Sequence, residues 1–99
     1  MNMNDLERNL KEVSGRDDNK QQMRAIAHWL NRIKNSDNGI YRCWNEDEVP
    51  SLTKVERMKL ITLTEGDSDE KIGTVHARLT RDGEQLLDEF THAGFFMKA

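Results

Sequence analysis

The stretch "HARLTRDGEQLLDEF", residues 76–90, decides the fold. Its first part belongs to an alternating run, "TVHARLT" (74–80). There Val75, Ala77 and Leu79 face one way, and Thr74, His76, Arg78 and Thr80 face the other. Strict alternation is the period of a half-buried strand. On that pattern His76 is expected to face solvent. From Arg81 the period changes, and Leu86, Leu87 and Phe90 fall on one face of a short helix. Thr80 stands where an N-cap is needed, since its hydroxyl can accept from an orphan amide of the first turn. Gly83 lets the helix approach the sheet closely. A strand is thus handed to a helix across "LTRDG".

Upstream, "LITLT" (60–64) alternates in the same way, and the polar, glycine-bounded "EGDSDEKIG" joins it to the second run. Two alternating runs with such a link predict an antiparallel hairpin with a long tip. Before it, "SLTKVERMKL" places Leu52, Val55 and Met58 on one side and Lys54, Arg57 and Lys59 elsewhere. Pro50, the only proline, suits a first helical turn. A helix over about 50–59 follows.

Residues 19–34, "NKQQMRAIAHWLNRIK", carry the strongest helical period. Met23, Ile26, Ala27, Leu30 and Ile33 form its stripe, and Trp29 widens it. Asn38-Gly39 signals a turn. "IYRCW" (40–44) is rich in β-forming residues and reads as a short strand or extended segment. Nearer the N-terminus, "DLERNLKEV" (5–13) places Leu6, Leu10 and Val13 on a narrow helical stripe, and Gly15 offers a stop.

At 99 residues, 35% of them hydrophobic and 33% charged, the chain supports one modest core and one domain over 1–99, with 1–18 as a peripheral helix and 91–99 as a tail. No run approaches the roughly 18 apolar residues of a membrane span. The N-terminus shows no apolar h-region, so no secretory signal is expected. A single cysteine, Cys43, excludes an internal disulfide and points to a reducing, cytoplasmic setting. Set between aromatic neighbours, Cys43 reads as a small buried hydrophobe.

The order helix, helix, short strand, helix, hairpin, helix resembles a winged-helix domain. "LTKVERMKLITL" (52–63) is similar to the third helix running into the first wing strand, and "ARLTRDGEQLL" (77–87) to the strand that returns from the wing. The resemblance covers about three-fifths of the chain. It implies an α+β fold of three to four helices with a small antiparallel sheet of two or three strands. One departure stands out: "NSDNGIYRCWNEDEV" (35–49) separates the helices, so the second helix of a helix-turn-helix is missing or reduced to a turn around "CWNEDE".

The resemblance implies a transcriptional regulator that binds double-stranded DNA as a homodimer. The matching positions on the helix at 50–59 are Ser51, Thr53, Lys54, Arg57 and Lys59, where Arg can read guanine and Lys can neutralise phosphate. Charge distribution is mixed on this point. The net charge is −3, yet residues 19–62 hold eight Lys/Arg against five Asp/Glu. The wing tip, with Glu65, Asp67, Asp69 and Glu70 against Lys71, would repel a duplex. The alternative is a protein-interaction module. It would bind a partner through acidic and apolar surfaces, with Leu6, Leu10, Phe95 and Phe96 as contacts and no DNA.

Catalysis is not expected. His28, His76 and His92 stand far apart in sequence, and no second ligand follows any of them at metal spacing. Glu46, Asp47 and Glu48 read as a solvated acidic turn, since the interleaved Asp/Asn/Gly loop of a calcium site is lacking. No phosphate-binding glycine loop or nucleophile elbow is present. No cofactor or metal is expected.

Overall fold

Helix α1 spans Asn19–Lys34 and is followed by a 3₁₀ turn at Asp37–Gly39. Strand β1 (Ile40–Cys43), helix α2 (Val49–Arg57), strands β2 (Ile61–Glu65) and β3 (Val75–Leu79) and helix α3 (Arg81–His92) complete the order. This computed structural model describes residues 19–94, with side chains from Gln22 onward, and Arg8. The peripheral helix expected at 5–13 and the tail residues Phe95 and Phe96 lie outside the described residues, as do Leu6 and Leu10.

The three strands form one antiparallel sheet in the order β1-β3-β2, so the described part is α+β. Register pairs Tyr41 and Leu63 with Ala77, and Arg42 and Thr64 with His76. Cross-strand partners point to the same side of a sheet. Tyr41, Cys43, Ile61, Leu63, Val75, Ala77 and Leu79 therefore make the inner face. Ile40, Arg42, Thr62, Thr64, His76 and Arg78 make the outer one. Met23, Ile26, Ala27, Leu30 and Ile33 of α1 meet Leu52 and Val55 of α2, and Leu86, Leu87 and Phe90 of α3, in one buried core. The stripes expected for α1 and α3 are the buried ones, while on α2 Leu52 and Val55 are buried and Met58, just past the helix, is half-buried.

The join between hairpin and α3 works as its residues predict. The hydroxyl of Thr80 accepts from the Gly83 amide at 3.1 Å, which satisfies one orphan donor of the helix. The same hydroxyl donates to the Lys59 carbonyl at 2.7 Å, and the Thr80 amide donates to the Leu60 carbonyl at 3.0 Å. Gly83 lies against that Leu60 carbonyl, where any Cβ would collide with backbone. Thr80 and Gly83 thus lock the start of α3 onto the α2–β2 link.

Two expectations need correction. His76 lies on the outer face, as the alternation says, yet it is only 5% exposed. The tip folds back over the sheet and lays Glu70 against the ring, with Oε1 2.6 Å from His76 Nε2. Alternation fixes the face of a strand residue but carries no information about what covers that face. The acidic turn is likewise not uniformly solvated. Glu46 and Asp47 are exposed, but Glu48 is half-buried and accepts from the Tyr41 hydroxyl at 2.7 Å and from Arg32 Nη1 at 3.1 Å.

Candidate nucleic-acid interface

Helix α2 is the element to which the resemblance assigns DNA contact, so its anchorage decides which side chains it offers. Leu52 and Val55 bury its inner side. On its flank, Glu56 accepts from the Leu63 amide at 3.0 Å, which ties the helix to the β2 backbone. Pro50 sits in the first turn, as expected. The helix ends two residues before the expected boundary, at Arg57, because Met58 and Lys59 turn the chain into β2. Lys59 adopts a left-handed backbone (φ 64°), and its amide donates to the Glu56 carbonyl at 2.8 Å.

Ser51, Lys54, Arg57 and Lys59 are exposed. Ser51, Lys54 and Arg57 recur at three-residue steps and so share one face of α2. Lys59 has left the helix, and its backbone turn sets its direction. Thr53 is half-buried, and its hydroxyl donates to the Val49 carbonyl at 2.8 Å. Among the described residues no acid pairs with Lys54, Arg57 or Lys59. The other basic side chains near the core differ. Arg32 pairs with Glu48, and Lys34 pairs with Glu84 at 3.0 Å.

The segment that takes the place of a second motif helix is held by side chains. Trp29 and Tyr41 pack with their rings tilted by 44° and their centroids 5.7 Å apart, and the Arg32 guanidinium lies 4.8 Å from the Tyr41 ring. Glu48 closes this group from the turn before α2. Burial, together with the hydrogen bond to Glu48, pushes the Tyr41 phenol up to about 12. Burial also pushes the Cys43 thiol up, and Glu48 adds to it, so this cysteine is a poor nucleophile and the small buried residue the sequence suggested. Sequence reasoning missed Glu48. Its only advance signal is that it stands last in the acidic run, directly before the apolar stripe of α2.

The hairpin tip has a second, quite different geometry. Glu65, Asp67 and Asp69 are exposed, but Glu70 turns inward. Its Oε1 accepts from the Asp67 amide at 2.6 Å and meets His76, while Oε2 lies 3.9 Å from Arg42 Nε. The Asp67 amide, with His76 and Arg42 adding to it, holds the Glu70 carboxyl below its ordinary value. Gly66 lies close against Glu70 and Thr74, where a side chain would crowd both. At the same end of the sheet Trp44 is 64% exposed and Ile72 fully so.

No described helix is long and apolar enough to cross a membrane. Comparisons with protein-family models, with curated proteins and with solved structures return no match.

Proposed function

We propose that this chain is a winged-helix regulatory domain that binds duplex DNA through the exposed face of α2. One observation carries the reading. Lys54 and Arg57 share the outward face of a helix whose other sides are fixed to the core and to β2, and no described acid neutralises either. A helix that leads into an antiparallel hairpin closed by a capped helix is the arrangement the resemblance implies. Ser51 extends the same face, and Lys59 adds charge at its end. The tip carboxylates Asp67 and Asp69 then point away from the phosphates, since proximity to the duplex would cost energy. A homodimer of cytoplasmic location belongs to the same reading.

Fluorescence anisotropy with a random duplex tests it. Binding at low salt should weaken as salt rises. Replacing Lys54 and Arg57 by alanine should lower the salt slope by about 0.9 for each phosphate that is no longer neutralised. Absence of binding by the concentrated wild-type chain at low salt would overturn the proposal.

The exposure of Trp44 and Ile72 beside the tip acids favours a second reading, a module that binds a basic protein surface with apolar anchors. Under that reading partner capture is abolished in Trp44→Ala and Ile72→Ser and survives in the α2 variants.

A further inference from the structure

We propose that Asp67, Glu70 and His76 form a binding site for a divalent cation of the Zn²⁺ type at the hairpin tip. The site is independent of whether α2 binds DNA. Each residue offers one ligand atom, and the three atoms lie within 4.8 Å of one another. Two come from the loop and one from the central strand, so the set exists only in the folded hairpin. This departs from the expectation that no histidine has a ligand partner. Sequence spacing did not show that the loop folds back to bring Glu70 onto the ring.

The geometry suits an ion with short bonds. At ligand distances of about 2.0–2.2 Å, neighbouring donor atoms stand roughly 3–3.5 Å apart. His76 Nε2 and Glu70 Oε1 are already 2.6 Å apart, so the longest separations in the set involve Asp67. Asp67 is exposed and can rotate inward. His76 is fixed, because its side chain is only 7% exposed within the sheet. Arg42 faces the other oxygen of Glu70, so an ion at Oε1 need not displace it. On the same loop Asp69 is exposed and adds negative charge, against Lys71.

The donor set selects the ion. One imidazole with two carboxylates is a mixed nitrogen–oxygen set, which suits zinc-like metals. Calcium takes six to eight oxygens, and magnesium keeps most of its waters, so neither is matched. An ion here would sit between Glu70 Oε1 and His76 Nε2. Nε2 must present its lone pair, so the neutral ring carries its proton on Nδ1. The outward side stays open to water or to a donor from a partner.

Titration of the full chain with ZnCl₂, followed by imidazole ¹⁵N shifts and thermal melting, tests the site. The expected result is one ion per chain, a metal-type shift of His76 Nε2 with Nδ1 protonated, and a raised Tm. Millimolar Mg²⁺ or Ca²⁺ should not compete. Asp67→Asn should weaken binding at least tenfold with the fold intact, because Asp67 is exposed, and Glu70→Gln should do the same. His76→Gln should abolish binding, and if it does not fold, the two carboxylate variants decide. An unshifted His76 at tenfold excess of Zn²⁺ would overturn the site. Binding of equal strength in Asp67→Asn and Glu70→Gln would do so too, since the ion would then sit elsewhere.

Discussion

At the base of the β2–β3 hairpin, Leu60, Thr80 and Gly83 meet through their backbone and the Thr80 hydroxyl. At its tip, Glu70 reaches His76 and Arg42 through side chains. The base is a joint of short hydrogen bonds with no space for one more carbon atom. The tip is a clasp of polar side chains, partly open to water. Close contact at a pinned backbone tolerates no added volume, whereas a partly solvated polar contact is weakened by screening and exchange with water. Substitutions should therefore cost much more at the base than at the tip.

The largest effect is expected for Gly83→Ala. In an open helix this change usually stabilises by a few tenths to about 1 kcal/mol. Here the new methyl group meets the Leu60 carbonyl, itself held by the Thr80 amide. We expect a loss of about 3 kcal/mol or more, a fall in Tm of at least 10 °C or so, measured by thermal melting. A neutral Gly83→Ala would show that the joint yields and would erase the contrast between the two ends. Thr80→Ala comes next. It removes the cap of α3 and the bond to the Lys59 carbonyl, at about 1–2 kcal/mol by urea unfolding, and Thr80→Ser should recover most of it.

The base was readable from the sequence because its signals are local. Thr80 as cap, Gly83 as close approach and the change of period at Arg81 lie within one short stretch, and each has a single physical use. The core stripes of α1 and α3 were readable for the same reason. The tip was not. Four acids and a lysine in a glycine-bounded loop carry no sign that one acid, Glu70, will fold onto a sheet face six residues further on. Glu48 was hidden in the same way, because its partners Arg32 and Tyr41 are distant or on another element. For α2, exposure of Lys54 and Arg57 followed from periodicity, but the capture of the Thr53 hydroxyl by the helix backbone did not, since a threonine hydroxyl can turn either outward or back to a carbonyl.

The tip clasp has its own signature in acid. Glu70 has a lowered carboxyl pKa in the folded state, so its contribution is present above the unfolded value near 4.5. It is lost as pH falls through the lower folded value. Urea unfolding across this range should show a steeper loss for wild type than for Glu70→Gln, which starts less stable at neutral pH. Parallel profiles would mean that the clasp is not closed in solution.

Tyr41 provides a smaller but cleaner reading, because it is the only tyrosine. Its raised pKa favours the neutral phenol, so its contribution is present below 10 and is lost as pH rises from 10.0 toward 12. Phenolate absorbance should therefore appear near 12 while the chain stays folded by circular dichroism. Glu48→Gln should bring the midpoint part of the way down, since burial, the larger cause, remains. An ordinary midpoint in the folded wild type would show that the phenol is neither buried nor bonded to Glu48.

The smallest effect is expected at Ile72, which stands fully exposed on the tip loop. An apolar side chain that touches nothing contributes little to folding, so Ile72→Ser should change stability by no more than about 0.5 kcal/mol. The substitution sharpens the comparison because it is chemically more drastic than Gly83→Ala yet should cost far less. What decides is the space around each residue. Urea unfolding at two protein concentrations is the right measurement. A small effect at both keeps the tip as a solvent-facing end. A destabilisation above about 1 kcal/mol that grows with concentration would mean that a second copy covers Ile72 in solution, because association stabilises by mass action. The hairpin would then be closed at both ends, by its own backbone at one and by a partner at the other.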